Sequence, residues 1–109
     1  MPIEWDKLFS GLTGDTTDLV KTQLSALVTT VKTDGGDSAK EFAGELEDLL
    51  NRLARGELSK DDFEEESKEL RYLVDIEIKK EAVIGKVQLM QLSQGITTLI
   101  LDRLMKLIA

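Results

Sequence analysis

The sequence predicts an all-α protein: a helical bundle made of a short N-terminal amphipathic helix, an antiparallel helical hairpin and a long C-terminal helix with coiled-coil-like packing. Three observations lead there. The one proline is Pro2, so nothing after it forbids helix. Apolar residues recur at spacings of three and four along most of the chain, the period of one helical face. Glycines (Gly11, Gly14, Gly35, Gly36, Gly56) mark short connections between those stretches. At 109 residues the chain suits a single bundle domain, residues 15–109, behind an N-terminal amphipathic segment and linker, residues 1–14.

In the first segment Ile3, Trp5, Leu8, Phe9 and Leu12 are apolar, with Glu4, Asp6 and Lys7 between them. Such a segment either closes the bundle as a lid or docks another protein. Tryptophan is enriched where binding energy concentrates, which makes Ile3, Trp5, Leu8 and Phe9 the candidate docking residues for a client or a neighbouring subunit. Glu4 and Asp6 stand where a secretory leader would be positive, so a cytoplasmic location is expected.

The hairpin comes next. Val20, Leu24, Leu27 and Val31 stack on one helical face, with Leu19 and Val28 widening it. Phe42, Leu46, Leu49 and Leu53 repeat the pattern after Asp34-Gly35-Gly36, and Ser38 followed by Glu41 has the spacing of a capping box. Matching stripes across a tight Gly-Gly connection predict two antiparallel helices.

The last helix opens on Ser59 as N-cap, with Leu58 and Phe63 placed as a hydrophobic staple. No stop signal follows. Leu73, Ile76, Lys80, Val83, Val87, Met90, Gln94, Thr97, Leu101, Leu104 and Ile108 keep three-four spacing to the end. Acidic residues crowd its start and Arg103 and Lys106 its end, complementing one helix dipole. A continuous helix from residue 59 to 108 would be about 75 Å long, with Gly85 and Gly95 each weakening it by about 1 kcal/mol.

From Val87 to Leu101 the chain carries no charge, and Leu89, Leu92, Ile96, Leu99 and Ile100 are apolar off the main stripe. A helix apolar on most of its circumference belongs inside a bundle or in lipid. The first reading makes Leu73, Ile76, Val83, Val87, Met90, Ile96, Leu101, Leu104 and Ile108 the interface of a homo-oligomer, and the protein an assembly or protein-protein interaction module. The alternative is a membrane-associated or membrane-inserting helical protein acting through residues 83–108. Against it, a spanning helix needs about 20 apolar residues, and Lys86 and Asp102 bound a shorter run interrupted by Gln88, Gln91 and Gln94.

Chemistry is scarce. The chain has no cysteine and no histidine, which removes disulfides, Cys/His zinc sites and imidazole-based catalytic groups. Asp34, Asp37 and Glu41 lack the spacing of a calcium loop, and Gly11 to Asp15 lacks the Lys-Ser/Thr ending of a phosphate-binding loop. No enzymatic activity, cofactor or metal is expected. A net charge of −7 with no basic run argues against a nucleic-acid partner. Charge is uneven, with 12 acidic and 4 basic residues in 34–66 against 5 and 7 in 67–109, a distribution that steers chains or attracts a basic partner when it is not simply a solvated helix start.

Overall fold

A computed structural model of the chain describes residues 3, 5–12, 14–80 and 83–108, the side chains of 83–85 excepted. It is all-helical among those residues. Helix α1 is Trp5–Leu8, α2 is Asp15–Asp34, α3 is Asp37–Ala54, α4 is Lys60–Lys80 and α5 is Val83–Gly95. A π-helical segment, Ile96–Leu104, and a last turn, α6, Met105–Leu107, continue α5 without a break, because Gly95, Leu104 and Met105 all keep helical backbone angles.

The long C-terminal helix does not form. Helices α4 and α5 instead lie side by side and run in opposite directions. Asp75 Oδ1 accepts a hydrogen bond of 2.6 Å from the Ser93 hydroxyl, and Arg71 Nη1 reaches Thr97 Oγ1 at 3.5 Å. On one straight helix Asp75 and Ser93 would be about 27 Å apart. The longest dimension of the molecule, 42 Å, is far short of the expected rod. Lys79 and Lys80 close α4, a favourable end for its dipole, and helix resumes before Gly85, so neither that residue nor Gly95 is the break.

The same logic gives the other directions. Arg52 pairs with Glu66 at 3.7 Å while Ser38 donates to Glu77 at 3.2 Å, so α3 and α4 run antiparallel. Arg103 donates to Gln23 at 2.9 Å, and Gly95 lies against Leu27, which sets α5 antiparallel to α2.

Helix ends follow local chemistry in two of three cases. The backbone N–H of Asp62 donates to Ser59 Oγ at 3.1 Å, the cap expected of Ser59, and Leu58 and Phe63 join the same apolar cluster. At the end of α3, Glu57 N–H bonds to Arg52 C=O at 2.8 Å and Gly56 N–H to Leu53 C=O at 3.1 Å, with Gly56 at φ +76°. This is a Schellman closure, and glycine takes that left-handed angle without a Cβ penalty. Ser38 is not the N-cap that its spacing predicts. Helix α3 already starts at Asp37 with Gly36 as its N-cap, and the Ser38 hydroxyl reaches α4 through Glu77.

One apolar core fills the bundle: Val20, Leu24, Val28 and Val31 from α2, Ala39, Ala43, Leu46, Leu49 and Leu50 from α3, and Phe63, Leu70 and Val74 from α4. The C-terminal helix contributes Leu89, Leu92, Ile96, Ile100, Leu104 and Met105. Its buried line is therefore rotated from the stripe that spacing predicted. From Leu92 to Leu104 the large buried side chains, Leu92, Ile96, Ile100 and Leu104, stand four apart, a spacing that drifts about 40° per step on a 3.6-residue helix. The wider π turn keeps them in line, and the hydroxyls of Thr97 and Thr98 donate to the carbonyls of Ser93 and Gln94 at 3.1 and 2.8 Å where it begins.

Candidate functional site

The residues predicted to form an oligomer interface do not end up together. Ile96 and Leu104 are fully buried by their own chain and belong to its core. Leu73 and Ile76 are on α4, a different rod from the rest, with Leu73 45% exposed and Ile76 half-buried. Leu101 and Ile108 are half-buried and pack against the core. The side chain of Val83 lies outside the described residues. Val87 and Met90, each 51% exposed, are left on the outer side of α5.

Beyond Lys86, which is half-buried one residue before Val87, the surface of this rod is uncharged. Gln91, Gln94, Thr97 and Thr98 are exposed on the same rod, and no charge interrupts it from Val87 to Leu101. The flank toward α4 is polar and internally satisfied, through Ser93 with Asp75 and Arg71 with Thr97. The result is an apolar centre of Val87 and Met90 continued by amides and hydroxyls, on a chain in which 32% of residues are charged.

The predicted docking segment folds back on the bundle. Leu8 and Phe9 are 7% and 6% exposed and belong to the core, so they are not presented to a partner. Trp5 stacks on Phe9 with ring centroids 6.2 Å apart, and Asp6 pairs with Lys21 of α2 at 3.3 Å. Ile3 and Trp5 pack against the core from outside and border a hollow of about 470 Å³ with Ser25, Val28, Thr29, Lys32, Thr33 and Glu47. Within that hollow the buried Glu47 carboxylate is held by Lys32 Nζ at 2.6 Å.

A surface that spacing did not single out runs between α3 and α4. Leu73, assigned above to a stripe along one long helix, borders it with Leu49 and Leu70, under carboxylates of both helices. Periodicity within one segment reports which residues share a face, not which faces meet, and this surface exists only through the register of two helices.

Among the described residues, no group of three or more carboxylates is placed to hold a metal ion, and no helix is long and apolar enough to cross a membrane. The chain matches no family model, no curated protein and no solved structure.

Proposed function

We propose that this chain is a non-enzymatic helical assembly module in which α2, α3, α4 and the C-terminal helix alternate in direction, and that it associates with copies of itself through the outer face of α5. The observation that carries this reading is the uncharged surface that runs on from Val87 and Met90. Interface centres are depleted in charge and enriched in methionine, whose flexible thioether adapts to a facing surface. Amides and hydroxyls both donate and accept hydrogen bonds, so a face of Gln91, Gln94 and Thr98 is complementary to its own copy about a two-fold axis, as a face of like charges is not.

Ile3 and the outer edge of Trp5 form a second edge suited to a protein partner, supported by the hollow they border on α2. Crossing a membrane through residues 83–108 has no such support, since no described helix is long and apolar enough for it.

The test is solution mass by light scattering on a sizing column. The parent chain runs as a discrete oligomer, and Val87→Asp with Met90→Asp converts it to monomer while the helical signal stays. A parent that is monomeric at every accessible concentration, or a double variant of unchanged mass, overturns the reading.

A further inference from the structure

The channel between α3 and α4 is a groove of about 630 Å³, bordered by Leu49, Leu70 and Leu73 and by five carboxylates, Glu41, Glu45, Asp48, Glu66 and Glu69. Its only lining cation, Arg52, is drawn to Glu66 at 3.7 Å. Leu49 and Leu70 are nearly buried, whereas Leu73 is 45% exposed and forms an open apolar step beside the acidic rim. On the other flank of α4, Arg71 and Asp75 face α5, so this groove is separate from the neutral face proposed for self-association.

Gly44 supplies an independent pointer. It lies in the interior of α3, where glycine weakens a helix relative to alanine, and a Cβ built there meets nothing within 4 Å. Internal packing therefore does not require its smallness. Gly44 lines the groove between Glu41 and Glu45, and its bare backbone leaves room for a side chain arriving from outside.

We propose that this groove seats a basic amphipathic helix of a partner protein, with apolar residues on Leu49, Leu70 and Leu73, small-residue clearance at Gly44, and Lys or Arg side chains against the carboxylates. The lining of α3, from Glu41 to Arg52, extends about 17 Å, three turns of a helix laid along it. Apolar floor and acidic rim recur together at helical spacing, so an occupant must carry both chemistries at the same period, which is what an amphipathic helix does. Electrostatics agree. Partial burial and then the neighbouring Glu41 raise the pKa of Glu45 above the ordinary carboxylate value, a like-charge crowding that an arriving cation relieves.

The probe is a synthetic, fluorescently labelled peptide of about three helical turns built from Leu and Lys, titrated with the full chain and read by anisotropy. The parent binds it, and binding weakens with added salt. Gly44→Phe, which fills the groove without changing charge, and Glu45→Lys with Glu69→Lys each weaken binding by about tenfold or more. Asp61→Lys with Asp62→Lys, a matched charge change outside the groove lining, weakens it by less than about threefold. Circular dichroism establishes that each variant is folded. No binding by the parent, equal binding by a folded Gly44→Phe variant, or an equal loss in the Asp61/Asp62 variant overturns the proposal. The peptide also binds the Val87→Asp, Met90→Asp variant, which separates this surface from the self-associating one.

Discussion

Ser67 sits on the core-facing side of α4 between Phe63, Leu70 and Val74, fully buried, and its hydroxyl has no hydrogen-bond partner. An unsatisfied buried hydroxyl costs about 1–3 kcal/mol. Ser67→Ala is therefore expected to raise unfolding free energy by about 1 kcal/mol or more in denaturant titration; a loss of stability would show that the hydroxyl is satisfied in solution. Other residues carry the opposite lesson. Gly95 reads from sequence as a weak point, but a Cβ there would run into Leu27 Cδ2 and force that side chain to turn aside, so the contact between α2 and α5 favours glycine. Its reason lies on another helix and no local window contains it. Leu19 fails for a related reason: it widens the apolar face of α2 by spacing, yet it is 50% exposed, because the neighbouring rods cover only the Val20, Leu24, Val28 and Val31 line. Replacing Leu19 by a charge is thus no test of the core.

At the scale of elements, the signals that were legible are those carried by consecutive residues. Ser59 caps α4 as its spacing indicated, and the apolar lines of α2 and α3 are buried through Val20, Leu24, Val31, Leu46 and Leu49. The C-terminal helix was misread in its rotation. Two apolar lines compete there, one through Val87, Met90 and Leu101 and one through Leu89, Leu92, Ile96 and Ile100, and both fit helical spacing. The π segment decides between them, since it holds four-spaced residues on one side, and nothing in the local pattern announces it. The adjacent pair Ile100 and Leu101 tests this rotation. Ile100→Ala is expected to cost about 2–5 kcal/mol of unfolding free energy and Leu101→Ala less than half of that, measured by chemical denaturation; the reverse order would put the predicted stripe in the core after all.

The whole molecule turns on the antiparallel placement of α4 and α5, which residues 80–83 connect. Hydrophobic spacing continues through them with no proline or turn dipeptide, so the sequence reads as one helix. Global energetics favours reversal instead. A rod of about 75 Å would leave its apolar second half beyond the reach of α2 and α3, whereas folding back buries Leu89, Leu92, Ile96, Ile100 and Leu104 at about 1.5–3 kcal/mol each. That burial outweighs the few hydrogen bonds by which one continuous helix would exceed two separate ones, each worth about 1 kcal/mol net. The N-terminal segment belongs to the same balance: Leu8 and Phe9 complete the core, and only the edge of Trp5 and Ile3 remains outside it. Reversal also produces both proposed surfaces, since it turns Val87 and Met90 outward and leaves Leu73 open beside α3.

The reversal is accordingly the feature to measure first. The chain has no cysteine, so Asp75→Cys with Ser93→Cys introduces its only two thiols, at positions whose side chains now touch. Treatment of dilute protein with a short bis-maleimide, far shorter than the about 27 Å that would separate the two positions on one straight helix, read by electrophoresis and intact mass, is predicted to give an intrachain cross-link in a monomer-sized band. Thiols modified singly throughout, or cross-links formed only between chains, would mean that α4 and α5 do not fold against each other and would contradict the bundle on which the rest depends.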